Sequence, residues 1–170
     1  MRALYDSKSK GNDRGIKKLL TNEAKLASWL TVESVLADAQ AEEGFIPRSA
    51  ADHIMENAKP ERIDLEEMER IKEKVGHGFV PFVKVLVKAC GKESGKFVHY
   101  GVTTQNIQQT AQLYTAYRIH RIFQSFVADI LEHMAELADQ HADTVMPGRT
   151  HGRHAIPITY GYKVSVWISE

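Results

Sequence analysis

Between Met146 and Pro157 the sequence reads MPGRTHGRHAIP, and within it Arg149, Thr150, His151, Arg153 and His154 gather two imidazoles, two guanidiniums and a hydroxyl around Gly152. Imidazole is the side chain best suited to moving a proton near neutral pH. A guanidinium holds an anion, and glycine lets a ligand approach the backbone closely. An earlier stretch, VHYGVTTQN over Val98–Asn106, carries His99, Tyr100, Gly101, Thr103, Thr104, Gln105 and Asn106. Thr104 suits an N-cap, and the free N–H groups of a first helical turn, flanked by hydroxyl and amide side chains, suit a carboxylate or phosphate. Each cluster also has a plainer alternative. Thr104 could simply cap while His99 packs, and the second cluster could be a solvated basic loop. His53, His120, His133 and His141 sit inside helical patterns with no polar cluster around them and read as surface or interface residues. No two-histidine helical pair with an adjacent glutamate appears, which leaves a zinc reading weak, and the expectation is of no metal and no cofactor.

The elements that must position these clusters are helical. From Glu23 to Glu43 the apolar residues Leu26, Trp29, Leu30, Val32, Val35, Leu36 and Ala39 recur mostly every three or four positions, with Thr21 or Asn22 as a cap and Gly44 as a stop. Pro47 suits a first helical position, and Arg48–Asn57 predicts a short helix ended by the Lys59-Pro60 step. Asp64 caps a charged helix over Leu65–Val75 that Gly76 terminates. After His77, a helix with Phe79, Phe82, Val83, Leu86, Val87 and Cys90 on one side stops at Gly91, and Gly91–Gly95 reads as a turn.

From Thr104 to about His141 there is neither Gly nor Pro, and apolar residues recur at Ile107, Ala111, Tyr114, Ile119, Phe123, Phe126, Ile130, Met134 and Leu137. At 1.5 Å per residue this helix would be about 55 Å long. A rod of that length belongs to a bundle or an oligomer core, so a homo-oligomer is expected. The second cluster lacks the helix propensity to prolong it and reads as a loop or short extended segment, with helix again over Pro157–Glu170. The expectation is an all-α chain: an N-terminal arm (1–22), a small helical N-terminal domain (23–97), and the truncated first part of a central long-helix bundle (98–170).

Twenty-two basic residues balance twenty-two acidic ones, so no net field draws the chain toward nucleic acid or an anionic membrane. The single Cys90 permits no intrachain disulfide, and no window approaches the roughly 18 apolar residues of a membrane span. A cytoplasmic protein is expected.

With both loops in view, the sequence resembles the fumarase/aspartase superfamily, and within it the adenylosuccinate lyases. The residues that carry the likeness are VHYGVTTQN, the long helix after it, and MPGRTHGRHAIPITYG leading into KVSVWISE. HGFVPFVKVL, beginning at His77, is a third match, and Glu23–Glu43 is a weaker one. The resemblance implies homotetramers built on a helical bundle, each active site drawn from three subunits. It also implies a β-elimination that releases fumarate from adenylosuccinate or a related succinyl-amine, a step of purine nucleotide biosynthesis. By the same resemblance His151 would be the general acid, assisted by His77. His99, Thr103, Thr104, Gln105 and Asn106 would hold substrate carboxylate or phosphate, with Arg149 and Thr150 beside His151. Tyr5 sits where such an enzyme's amino-terminal arm contacts the phosphate, although Leu4 stands in place of the preceding arginine.

The chain departs from that pattern in three places. Thr104 and Asn106 replace Ser and Asp, Gly78 replaces an Asp next to the histidine, and the flexible Gly-Ser-Ser loop that supplies the base does not occur in these 170 residues. The chain is therefore expected to be the amino-terminal portion of a lyase and inactive alone. The rival readings are a carboxymuconate cycloisomerase, whose two early motifs look much alike, and a helical assembly module without turnover.

Overall fold

The computed structural model describes residues 12–170. It is helical apart from one β-hairpin, in the order α1 (Ile16–Leu19), α2 (Asn22–Glu42), α3 (Arg48–Asn57), a 3₁₀ turn (Pro60–Arg62), α4 (Leu65–Val75), α5 (Val80–Gly95), α6 (Thr104–Gln140), β1 (Val145–Thr150), β2 (Arg153–Thr159) and α7 (Tyr160–Ser169). The described residues form two compact units, divided between Ile119 and His120.

Local chemistry sets most boundaries in the first unit. Thr21 accepts from the Ala24 N–H at the start of α2, and Asp64 accepts from the Glu67 N–H at the start of α4. Gly76 ends α4 at φ 63, a left-handed conformation that costs glycine nothing. Pro47 stands one residue earlier than expected, at the N-cap of α3, where its ψ of 138 is extended. In α5 the backbone breaks at Gly91 (φ 69, ψ 179), as expected, but Lys92–Gly95 winds one more helical turn instead of an open turn. Gly95 is tightly fitted, since a Cβ there would lie 2.7 Å from the Val87 carbonyl oxygen.

The core of this unit is built on α2, α3 and α5. Trp29, Phe79 and Phe82 pack ring against ring with centroids 4.9, 5.4 and 5.0 Å apart, and Leu30, Ile54, Leu86 and Ile107 close around them. The buried residues of α2 are Leu26, Ser28, Trp29, Leu30, Glu33 and Ala37; Val35, which the apolar pattern places on that face, is 61% exposed. Glu33, although a carboxylate, fits the helical spacing of that face better than Val35 does.

Helix α6 runs unbroken over 37 residues. Only Ile107 and Ala111 are buried along it, while Leu113, Tyr114, Tyr117, Phe123, Val127, Ile130 and Leu131 are exposed. In the second unit, β1 and β2 pair antiparallel, and the two-residue connection is His151–Gly152. The extended segment reaches Thr159, so α7 begins three residues later than the Pro157 start expected from sequence, with Thr159 capping it through the Tyr162 N–H. Gly148 is buried, and a Cβ there would lie 2.7 Å from the Ile156 carbonyl oxygen across the hairpin. Gly161 fits against the turn after α6, donating its N–H to the His141 carbonyl at 2.9 Å.

Candidate active site

His99 is the anchored member of the first cluster. It lies in the turn between α5 and α6 at φ 59, a backbone region that non-glycine residues seldom occupy. Its Nδ1 is 2.6 Å from Oε1 of Glu33, whose side chain is 1% exposed against 16% for His99. The Phe79 ring lies 5.6 Å from the imidazole, centroid to centroid. Two helical turns further along α2, Gln40 donates from Nε2 to the Tyr100 carbonyl at 2.7 Å. The same face of α2 therefore grips the loop at two successive residues. Burial pushes the Glu33 carboxyl above the ordinary carboxylate range, and the hydrogen bond and charge of His99 pull it the other way. Burial, reinforced by the Glu33 charge, pushes the Cys90 thiol up to about 11.

His77 is exposed in the segment before α5. Its Nδ1 accepts from the N–H groups of Phe79 and Val80, both at 3.1 Å, so the ring caps the helix that Phe79 opens without a side-chain cap of its own. With Nδ1 accepting, the hydrogen of the neutral ring lies on Nε2.

At the start of α6 the capping role expected of Thr104 falls one residue earlier. Thr104 is already the first helical residue, and the Thr103 N–H donates to Oδ1 of Asn106 at 3.0 Å, while the Asn106 N–H donates to the Thr103 carbonyl at 3.0 Å. This is the returning half of a capping box, with an amide in the place of the usual carboxylate. Thr103, Gln105 and Asn106 are exposed and Thr104 is half-buried. The first loop is a turn with no extended piece.

His151 stands at the tip of the hairpin, exposed, at φ 48 beside Gly152 at φ 73. Two successive left-handed residues are what a two-residue hairpin turn of the twist-matching kind requires. Arg149 and Thr150, both exposed, belong to β1 and pair with His154 and Arg153 of β2. Tyr5 lies outside the described residues.

Glu33, Gln40 and Phe79 lie outside both loop motifs, which give no hint of their contacts with His99 and Tyr100. The signal for Glu33 was present: it falls at helical spacing on the line Leu26, Trp29/Leu30, Glu33, Ala37, and a carboxylate on an apolar stripe asks for a partner. What the sequence could not supply was the partner, sixty-six residues away.

This arrangement of helices and hairpin is shared with known enzymes. A solved fumarate lyase from Mesorhizobium sp. superposes with a TM-score of 0.84 at 35% identity, covering 98% of this chain and 38% of its own. A beta-carboxy-cis,cis-muconate cycloisomerase from Acinetobacter calcoaceticus gives 0.82 at 32% identity, covering 92% and 37%. The family model described as "Lyase" matches residues 9–170, and the chain belongs to that family, the fumarase/aspartase superfamily, of which it represents the N-terminal part. Its curated relatives include an adenylosuccinate lyase from Methanocaldococcus jannaschii, 34% identical over 155 residues, and an N-acetyl-S-(2-succino)cysteine lyase from Enterococcus italicus, 36% identical over 155 residues. Each alignment covers 91% of this chain, which spans about a third of the relative's length, 34% in both cases.

Proposed function

We propose that this chain supplies the amino-terminal part of the active site of a C–N lyase that splits adenylosuccinate or a related succinyl-amine by β-elimination, releasing fumarate. The observation that carries the reading is the hairpin. In a chain of this family, an exposed histidine is held on a two-residue turn with a guanidinium and a hydroxyl on the strand behind it.

Removing the Cβ proton of a succinyl group leaves negative charge that spreads into the neighbouring carboxylate, and fixed hydrogen-bond donors stabilise it. Thr103, Thr104, Gln105 and Asn106 would supply hydroxyl and amide donors at the start of α6, with Arg149 and Thr150 doing so from β1. His151 would donate the proton that the departing nitrogen needs, a task matched to imidazole near neutral pH. His77 would assist as a hydrogen-bond donor from Nε2, because a second proton on Nδ1 would displace the N–H groups of Phe79 and Val80 that it now accepts. The proton acceptor at Cβ is assigned to no residue of this chain. The exposed apolar residues of α6 support assembly into a homo-oligomer in which several copies complete each pocket.

Two other readings have specific support. The succinocysteine lyase relative favours the same elimination with sulfur as the leaving atom, and the cycloisomerase neighbour favours carboxymuconate as substrate. Ultraviolet absorbance of fumarate separates them when the intact gene product is given each compound in turn. Fumarate from adenylosuccinate is the expected result. Release only from N-acetyl-S-(2-succino)cysteine moves the assignment to C–S cleavage, and consumption of carboxymuconate without fumarate moves it to cycloisomerisation. Inertness toward all three favours a helical assembly module.

A further inference from the structure

The structure gives His99 a partner that nothing in the loop motifs foretold. Glu33 reaches it from the middle of α2, almost wholly removed from solvent, at 2.6 Å from Nδ1. A carboxylate is rarely buried without such a partner, since losing its hydration is costly. The groups gathered about it are His99, bonded to it, and Cys90, whose thiol senses its charge. The loop is further fixed by the Phe79 ring against the imidazole and by Gln40 on the Tyr100 carbonyl.

We propose that Glu33 is a positioning residue for His99: its buried carboxylate holds the hydrogen on Nδ1 and so reserves Nε2 for an anionic group of the substrate. A 2.6 Å contact needs one hydrogen between the two atoms, and a carboxylate can only accept it, so the ring nitrogen is the donor. Free histidine mostly carries its hydrogen on Nε2, so Glu33 reverses the ordinary choice. With Nδ1 committed, Nε2 is the nitrogen that takes up a second proton. In that state the ring offers an N–H to a carboxylate or phosphate, with Glu33 behind it balancing the ring's charge. The contrast with His77 is direct. There two backbone N–H groups hold Nδ1 as an acceptor and the hydrogen sits on Nε2; here a carboxylate does the reverse. The ligand assigned to Nε2 rests on the lyase reading above, whereas the tautomer does not.

The test has two arms. Long-range ¹H–¹⁵N spectra of the imidazoles, recorded without substrate at a pH where the rings are neutral, report which nitrogen of His99 carries the hydrogen. The wild type should show Nδ1–H. Glu33→Gln, which keeps an acceptor oxygen and the side-chain length, should retain it, and Glu33→Met should revert to Nε2–H with unchanged far-ultraviolet circular dichroism. A wild-type His99 with its hydrogen on Nε2 overturns the proposal even if neither variant folds. In the second arm the intact enzyme is assayed on whichever succinyl compound it cleaves. Loss of a charge-assisted hydrogen bond should raise KM about tenfold in Glu33→Met with kcat nearly unchanged. An unchanged KM overturns the role in substrate binding. An enzyme that cleaves no succinyl compound overturns the lyase reading, while the spectra decide separately whether Glu33 sets the tautomer.

Discussion

His99 and His151 share an uncommon backbone, at φ 59 and φ 48, yet the two are held there by different means. At His99 the conformation is imposed from outside the loop. Glu33 binds the ring, Gln40 binds the next carbonyl, and Phe79 packs against the imidazole. At His151 it is imposed by the hairpin itself, since strands with a right-handed twist joined by two residues need both of those residues left-handed. The first histidine is half-buried against a core and the second is presented by a local motif. Strained backbone persists only where the surroundings over-determine it, and these are two independent ways of doing so. A substitution in the core of the first unit should therefore disturb His99 without touching His151, and one in the hairpin should do the opposite.

The sharpest test of that separation is His151→Ala in the intact enzyme. It should lower kcat at least about 100-fold, the usual loss for a missing acid or base, while circular dichroism stays that of the wild type. Turnover within a few-fold of wild type would remove His151 from the mechanism. Leu86→Ala acts on the other region. It empties a fully buried position in the core and should cost about 2 to 5 kcal/mol in denaturant unfolding. Gly161→Ala strikes the second unit, because its Cβ would meet the Ala138 carbonyl oxygen and lie 2.8 Å from the Ala142 Cα. A loss of about 1 to 3 kcal/mol is expected, and a melting temperature equal to wild type would show that this contact gives way easily.

The pH dependence of the Glu33 contribution has a defined sign. Burial raises its carboxyl above the ordinary 4.5, so the folded protein holds that proton more tightly than the unfolded chain. The resulting stability is full below 4.5 and lost as pH rises through the raised value. Measured against Glu33→Gln, which lacks the titration, the wild type should lose relative stability across that window; a constant difference would mean that Glu33 titrates normally. Last, Asn106→Asp places a negative charge at the start of α6, where Asn106 already accepts from the Thr103 N–H. A gain of roughly 0.3 to 1 kcal/mol is expected, read from the denaturation midpoint.

Much of the fold was legible because it is written in short-range chemistry. Asp64 and Gly76 bracket α4, Arg48 and Asn57 bound α3, and the run from Thr104 to Gln140 without glycine or proline gives α6 nearly to the residue. Lys92–Gly95 was misjudged because a single turn of helix after a glycine break has no periodicity to detect. The start of α7 was misjudged because Pro157 can open a helix or sit in a strand, and only pairing with Pro147 decides.

The sequence by itself determined that the two loops hold histidines, hydroxyls and guanidiniums, side chains whose chemistry suits proton transfer and anion binding, and their spacing was enough to suggest the family. Which groups hold those residues in place was decided only by tertiary structure. Val35 and Glu33 lie two residues apart and so on opposite sides of one helix, where hydropathy favours burying the valine and helical spacing favours the carboxylate. The partner that makes burial of the carboxylate tolerable comes from sixty-six residues away, and a contact across that distance exists only once the chain has closed on itself.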